Sequence, residues 1–311
     1  MVFKLGVEDV RGIQALNDRL LWVNGNYNER VADKLKEIFE DSKRGKYTTL
    51  ELLDKLREEI PEYSNLEAHR LQAAADLTLR QTKNMGVASR AIGLGDKYLQ
   101  VVAKMDDRTT NICRSMHLRL IPIEHIKKQY DNIVNAKSVE EIKAATNMGL
   151  SQKGLFTPDI PANIGIPPYH FGCRTFLRQV DSTYIKDREK DQFGRLYKIR
   201  DKDVYNKIKN KDDHLKASRE KSVENLMRAT MGNIKLEGVH NNEKDKRVIL
   251  ADNGFLAFID ANGNIETIFT TDRKYETPME YFEKVTNQTY YDSLKKSNII
   301  KVIKWILEHL K

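Results

Sequence analysis

The strongest constraint on the fold is a series of three short apolar runs, separated by turn-forming residues, near the end of the chain. The runs cover residues 247–251, 255–259 and 265–270, and the separators contain Asn253-Gly254 and Asn262-Gly263. Asn-Gly pairs adopt the turns that join neighbouring antiparallel strands. The spacing therefore predicts a three-stranded antiparallel meander.

Helices are predicted after this meander. Thr277 and Pro278, with Glu280 in the first turn, have the sequence of a helix start. Another helix is predicted from Ser297. Its apolar residues recur on one helical face at Ile299, Ile303, Ile306 and Leu310. These patterns predict a carboxy-terminal α+β module over residues 229–311.

The amino-terminal region, residues 1–95, has the periodicity of helices. From residue 27 to 44 the apolar side chains fall on one face of a 3.6-residue period, with charged side chains opposite. Gly86 is predicted to end the last long helix of this region. Capping-box pairs mark two helix starts, at Thr48 with Glu51 and at Ser64 with Glu67.

A strand is predicted over residues 97–103, because β-branched and aromatic residues follow the turn signal Gly93-Leu94-Gly95. Two short helices are predicted after Pro122, the second with a capping box at Ser138 and Glu141.

Residues 181–221 differ from their surroundings in charge. Of these 41 residues, 13 are basic and 9 are acidic. Such a density is typical of a solvated helix or linker that can contact nucleic acid.

The sequence as a whole predicts an α+β protein with four parts. These are a helical region over 1–95, a small α+β motif domain over 96–180, a charged helical linker over 181–228, and an antiparallel sheet flanked by helices over 229–311.

Composition restricts the partners and the compartment. The 53 basic and 45 acidic residues give a net charge of +8, which favours an acidic partner such as nucleic acid. Two cysteines do not form a disulfide framework, and this fits a reducing compartment. No apolar run is long enough to span a membrane, and Glu8 and Asp9 stand where a signal peptide needs apolar residues. We therefore expect a soluble protein that is made in the cytoplasm.

Both cysteines lie beside histidines in two separated segments. Cys113 and His117 have Cys-x3-His spacing, and His170 and Cys173 have His-x2-Cys spacing. Two thiolates and two imidazoles can form a tetrahedral zinc site. The alternative is a packed polar cluster in which the thiols act as small apolar fillers and no metal is bound. A cysteine nucleophile with His170 as its base is a further alternative, although no orienting Asn or Asp is identifiable.

The two segments share further residues in a fixed order. The first contains Asp107-Arg108-Thr109 and Cys113, and the second contains Pro167-Pro168, His170 and Cys173-Arg174. In this order the residues resemble the Mu-F-like minor head protein family of tailed bacteriophages and prophages, also described as the phage head morphogenesis family. The resemblance covers roughly residues 60–180. Departures are Thr110 and Thr175, where some members have cysteines, and a long interval over 118–166.

The resemblance implies a structural role in the phage particle. Members of the family are low-copy proteins inside the capsid or at the portal vertex that act in head assembly. The implied partners are portal and capsid proteins and packaged DNA, and ejection with the DNA stays open. The implied location is the virion, after synthesis in the cytoplasm of the bacterial host.

The acidic and basic residues of the motif have structural interpretations. Asp106, Asp107 and Arg108 can form salt bridges or cap a turn, together with Thr109. Arg174 can reach back to one of the two aspartates as a bidentate clasp that joins the two segments.

The carboxy-terminal module is similar in outline to the small ribonucleases of the barnase, colicin and RelE type that occur behind Mu-F-like domains. His240 can act as acid or base, and Arg or Lys can stabilise a phosphorane-like charge, without a metal. The candidate residues are His240, Lys244, Lys246, Arg247, Thr270, Arg273 and Lys274. A basic structural β-module without catalytic activity has the same composition, so enzymatic activity stays open.

Three functional hypotheses follow. The first is the structural minor head protein. The second is a phage-encoded toxin or effector nuclease that uses its Mu-F-like part as a vehicle. The third is a zinc-dependent DNA-binding protein, which requires both bound metal and DNA affinity that weakens with salt.

Overall fold

A computed structural model describes residues 80–136, 139–146, 164–210, 220–271 and 276–293, without residues 82 and 171, together with the single positions 37, 41, 51, 54 and 58. Helices and separate sheets occur together, which confirms the predicted α+β class. The five single positions are all helical.

The described part of helix α1 covers residues 80–94, without residue 82. The other helices are α2 over Asn111–Met116, α3 over Ile123–Asn135, α4 over Val139–Thr146, α5 over Ser182–Lys186, α6 over Lys202–Asn210, α7 over Val223–Gly232 and α8 over Pro278–Val285.

The strands are β1 over Tyr98–Val102, β2 over Leu120–Pro122, β3 over Phe176–Gln179, β4 over Glu189–Lys190, β5 over Leu196–Ile199, β6 over Ile234–His240, β7 over Arg247–Ala251, β8 over Leu256–Ile259, β9 over Asn264–Phe269 and β10 over Thr286–Asp292.

The chain divides into two compact units that interleave along the sequence. Among the described residues, the first unit contains 80–101, 121–136, 139–146 and 164–179. The second unit contains 102–120, 180–210, 220–271 and 276–293.

The first unit is built on a three-stranded sheet of order β2-β1-β3. The strand predicted over 97–103 is confirmed as β1, with Leu99 and Val101 fully buried. Asn84 of α1 ties this helix to β3, because its Oδ1 accepts the backbone N–H of Leu177 at 2.8 Å. The prediction that Gly86 ends a helix is wrong, since α1 continues through it to residue 94.

Another buried amide of this unit is Gln129 on α3. Its Oε1 accepts the backbone N–H groups of Gly165 and Ile166, both at 2.8 Å, and its Nε2 donates to Ala145 at 3.1 Å. Gly165 has no room for a side chain, because a Cβ there would lie 2.7 Å from Ile126 Cδ1. One glutamine thus joins α3, the end of α4 and the segment before the Pro167-Pro168 pair.

The second unit contains a seven-stranded sheet of order β10-β6-β7-β8-β9-β5-β4. The predicted meander is confirmed as β7-β8-β9, and its connecting turns have Gly254 and Gly263 at a φ of 79°. The predicted helix start at Thr277 is confirmed at α8, where Thr277 and Glu280 form a capping box. Strand β5 pairs parallel to β9, whereas the other described pairings are antiparallel.

Both faces of this sheet are covered. The α6–α7 face carries Ile249, Ala257 and Ile265, which are buried under α6 and α7. The α8 face carries Leu236, Val248 and Leu256, which are buried with Phe282 of α8. Neighbouring side chains point to opposite faces where the pairing is regular, and register shifts interrupt this alternation in β6, β9 and β10.

The charged segment predicted as a helical linker has a different structure. Residues 189–190 and 196–199 are strands of the seven-stranded sheet, and Arg195, Leu196 and Tyr197 are buried. The helical prediction is therefore wrong for these residues, because some of the charges lie inside the unit instead of facing solvent.

Other predicted features lie outside the described residues. These are the side chains of the capping residues Thr48, Ser64 and Ser138, most of the amino-terminal helical region, and the helix from Ser297. The two short helices after Pro122 are confirmed as α3 and α4.

Candidate functional site

The Asp-Arg-Thr motif forms a tight turn before α2. The Thr109 hydroxyl donates to the Lys104 carbonyl at 2.6 Å and accepts the backbone N–H of Asp106 at 2.8 Å. The Asp106 carboxylate accepts the backbone N–H of Arg108 at 3.0 Å. Asp106 and Thr109 thus act as turn residues, and the side chains of Asp107 and Arg108 are exposed.

Arg114, on α2, is the largest buried side chain of this segment, and only 1% of its surface is exposed. Its Nε donates to the Thr109 carbonyl at 3.2 Å, its Nη2 donates to the Asp106 carbonyl, and its Nη1 donates to the Lys244 carbonyl at 3.2 Å. Burial lowers the pKa of this guanidinium. The group remains a cation at neutral pH. Arg114 therefore links the motif turn to the β6–β7 turn within the second unit.

Both ring nitrogens of His117, one turn after Cys113, form hydrogen bonds within the second unit. Its Nδ1 accepts the backbone N–H of Ala103 at 3.0 Å. Its Nε2 lies 2.6 Å from the carbonyl of Ala261 in the β8–β9 turn. Since Nδ1 accepts, Nε2 carries the proton and donates to Ala261.

A four-ligand zinc site that includes His117 does not fit this arrangement, because a neutral histidine needs one ring nitrogen available for the metal. Zinc ligation by Cys113, His170 and Cys173 stays a prediction from the sequence. Both cysteines are buried, and neither forms a disulfide. Cys113 belongs to the second unit, and His170 and Cys173 belong to the first.

A zinc site at these three residues predicts about one zinc per chain in purified protein and a melting temperature that falls in a chelator. Elemental analysis and thermal melting measure both quantities, with Cys173→Ser as the ligand variant. Metal-free protein whose melting a chelator does not change would leave the packed polar cluster as the explanation. A cysteine nucleophile stays a separate prediction.

The second motif segment lies in the first unit. Pro168 is buried after a cis Pro167-Pro168 peptide, and Cys173 donates its backbone N–H to the His170 carbonyl at 3.2 Å. Arg174 is half-buried in this unit, whereas the aspartates of the first segment are in the second unit. The predicted clasp to those aspartates stays a prediction.

A buried set of charges lies on the α6–α7 face of the sheet, and we call it the Glu237 network. Arg195 Nε donates to Asp191 at 2.7 Å, and its Nη1 and Nη2 donate to the two carboxylate oxygens of Glu237, each at 2.9 Å. Glu237 Oε1 also accepts from Arg247 Nη1 at 3.2 Å and from the Tyr290 hydroxyl at 2.5 Å. The network consists of Asp191, Arg195, Glu237, Arg247 and Tyr290. It thus connects the β4–β5 turn with β6, β7 and β10.

The network changes the pKa values of its members. Burial alone would raise the pKa of Glu237, but Arg195 and Arg247 outweigh it and hold that pKa below its usual value. Burial, together with Glu237, raises the pKa of Tyr290 well above its usual value. The network therefore contains two cations, two carboxylates and a neutral phenol at neutral pH.

The lowered pKa of Glu237 predicts acid sensitivity. A carboxylate with a lowered folded-state pKa contributes stability above its unfolded pKa of 4.5, and this contribution is lost as the pH falls through the folded-state value. We expect the melting temperature to drop below about pH 4.5, with a shallower dependence in Glu237→Gln. Thermal melting from neutral pH to about pH 2 tests this, and equal slopes in the two proteins would contradict it.

A second polar group, which we call the His240 cluster, lies where β6 ends and β7 begins. His240 Nδ1 accepts the backbone N–H of Glu243 at 3.1 Å, and the ring packs edge-on against Phe258 with centroids 5.7 Å apart. Lys246 Nζ lies 2.6 Å from Glu243 Oε2 and 2.8 Å from Glu266 Oε2. His240, Glu243, Lys246 and Glu266 form the cluster.

The side chains of the cluster are partly exposed to solvent and are held in place by hydrogen bonds and ion pairs. The side chains of His240, Lys246 and Glu266 are 16%, 20% and 21% exposed. The hydrogen bond from Lys246 lowers the pKa of Glu243, and its carboxylate partners raise the pKa of Lys246. A neutral His240 carries its proton on Nε2, because Nδ1 accepts an amide proton. The cluster therefore combines an imidazole donor, two carboxylates and one ammonium.

The structure brings together only some of the predicted catalytic residues. Lys244 lies in the same turn as His240, with its Nζ donating to the Asn241 carbonyl at 2.5 Å. Arg247 lies on the opposite face of the sheet in the Glu237 network. Thr270 donates to the Gly254 carbonyl at 3.0 Å, at the other end of the strands. Arg273 and Lys274 lie outside the described residues.

The predictions from sequence did not include Glu243 and Glu266. Glu243 is three residues after His240 in the same turn, and this spacing indicates that the two side chains are close together. Glu266 is on β9, and its approach to Lys246 depends on the order of strands in the sheet.

No helix in the described part of the chain has the length and apolar content needed to cross a bilayer.

No family model, curated protein or solved structure matches the chain. The Mu-F-like and ribonuclease resemblances therefore stay predictions from the sequence motifs.

Proposed function

We propose that the chain is a structural minor head protein of a tailed bacteriophage or prophage, present at the capsid interior or the portal vertex. Its partners in this proposal are portal and capsid proteins, with packaged DNA as a further contact. The net charge of +8 supports proximity to DNA.

The observation that carries the proposal is the use of the first motif segment for internal hydrogen bonds. Asp106, Thr109, Arg114 and His117 bond to backbone groups of the second unit. A catalytic motif needs side chains that can reach a substrate, whereas these stabilise a turn and a short helix. This supports an architectural use of the residues that carry the family resemblance.

Mass spectrometry of purified particles tests the structural proposal. We expect peptides of the chain in particles from the phage or prophage that encodes it, at a few copies relative to the major capsid protein. Particles that form and package DNA without the chain would overturn the proposal.

The His240 cluster favours a second candidate function, a metal-independent ribonuclease in the carboxy-terminal part of the chain. A carboxylate of Glu243 or Glu266 removes the proton from a ribose 2′-hydroxyl, whose oxygen then attacks the adjacent phosphorus. His240 acts in its doubly protonated form, with Nδ1 facing Glu243 Oε1 at 3.9 Å, and gives its Nε2 proton to the leaving 5′-oxygen to become a neutral imidazole. Lys246 stabilises the charge on the phosphoryl oxygens. The products are a 2′,3′-cyclic phosphate and a free 5′-hydroxyl.

For this second function we expect His240→Ala to lower the rate of RNA cleavage by about a hundredfold or more, because it removes the general acid. His125→Ala is the matched control, since His125 is an exposed histidine on α3 in the first unit. Cleavage of a labelled RNA in the presence of a chelator measures the effect. Equal cleavage by wild type and His240→Ala, or none by wild type, would remove the nuclease hypothesis.

A further inference from the structure

The helix of the Asp-Arg-Thr motif contacts the turn that carries the His240 cluster. Arg114 Nη1 donates to the carbonyl of Lys244, which lies between Glu243 and Lys246 in sequence. On the same helix, Asn111 Oδ1 accepts from Gln288 Nε2 at 2.7 Å. Helix α2 therefore contacts both the β6–β7 turn and β10.

Backbone hydrogen bonds hold the turn on either side of Lys244. Lys246 donates its backbone N–H to the Glu243 carbonyl at 2.9 Å, and His240 donates its own to the Lys246 carbonyl at 3.2 Å. On the α8 side, Asn241 donates its backbone N–H to Val285 at 2.9 Å. The Arg114 bond reaches the turn at Lys244, the residue between these restraints.

An arginine suits this position for a geometric reason. The planar guanidinium spreads its donors over a fixed fork, so one side chain reaches the carbonyls of Asp106, Thr109 and Lys244. A lysine ammonium is a single point on a flexible chain and cannot span the same three acceptors.

We propose that Arg114 is a positioning residue for the His240 cluster. Its hydrogen bond to the Lys244 carbonyl fixes the conformation of the β6–β7 turn. This turn sets the positions of Glu243, Lys246 and His240 relative to one another. The proposal rests on the ribonuclease candidate for its catalytic consequence. It assigns to the motif segment a role in the chemistry of a site more than a hundred residues later in the chain.

Two readouts on the full-length protein test the proposal. In Arg114→Lys we expect amide hydrogen exchange to accelerate at Glu243, Lys244 and Lys246. We also expect kcat for RNA cleavage to fall by about tenfold to a hundredfold, because small displacements of catalytic groups carry costs of this size. KM should change little, since Arg114 is too buried to touch RNA. Arg108→Lys is the matched control, because the Arg108 side chain is exposed in the same segment.

Unchanged exchange in the β6–β7 turn of Arg114→Lys overturns the proposal, as does faster exchange with unchanged kcat in a cleaving enzyme. If wild type does not cleave RNA, the ribonuclease candidate fails, and the exchange experiment still decides whether Arg114 holds the turn. If Arg114→Lys does not fold, Arg114→Gln provides the exchange test, because a neutral amide still donates hydrogen bonds but lacks the fork that spans the three carbonyls.

Discussion

Replacement of Glu237 by alanine is expected to lower the free energy of unfolding by about 3–5 kcal/mol, since it leaves buried arginines without their carboxylate. Glu237 is completely buried and accepts hydrogen bonds from Arg195, Arg247 and Tyr290. Arg195 retains Asp191, whereas Arg247 loses the carboxylate that accepts from its Nη1. Chemical denaturation followed by circular dichroism measures the change.

The control for this prediction is Glu276→Ala. Glu276 pairs at 3.3 Å with Lys284, whose side chain is 69% exposed. Exposed ion pairs contribute about 0–1 kcal/mol, so the control should unfold almost like wild type. If both variants lost the same small amount, the Glu237 network would be solvated in solution and the buried arrangement would be incorrect.

A fragment that begins at residue 229 is expected not to fold. It retains β6 to β10 but lacks β5, which pairs with β9, and α6, whose Val204 and Ile208 cover the α6–α7 face. It also lacks Arg195, so the buried Glu237 carboxylate loses its bidentate partner. The missing parts remove one edge of the sheet and much of its apolar cover.

The comparison fragment begins at residue 102, and therefore contains every described segment of the second unit. We expect it to unfold cooperatively on heating, whereas the fragment from residue 229 should show no transition. Dispersed amide NMR signals distinguish the two states directly. A well-folded fragment from residue 229 would contradict the division of the chain described above and restore an independent carboxy-terminal module.

Local sequence signals predicted the elements that depend on neighbouring residues. The β7–β8–β9 meander follows from the turns at Gly254 and Gly263, where the backbone needs a positive φ. The start of α8 follows from the capping pair of Thr277 and Glu280. In both cases the partners are within a few residues of one another.

Sequence signals failed where partners are distant in the chain. The charges near residue 195 predicted exposure, because Glu237, the bidentate partner of Arg195, lies 42 residues later. Arg114 received no role, since its acceptors are backbone carbonyls, which every residue has. Of the ribonuclease candidates, His240 and Lys244 are close in sequence and lie in the same turn. The face of the sheet on which Arg247 lies depends on the strand register, which the sequence does not reveal.

The parallel pairing of β5 with β9 has a consequence for biosynthesis. A ribosome releases α2 and β5 before it translates β9 and β10. During that interval β5 lacks its strand partner β9, and α2 lacks its contact with β10. Domains generally complete folding only when all of their parts have emerged. We therefore expect the nascent second unit to remain susceptible to proteases until late in translation, and to acquire resistance only after residue 292 has left the exit tunnel.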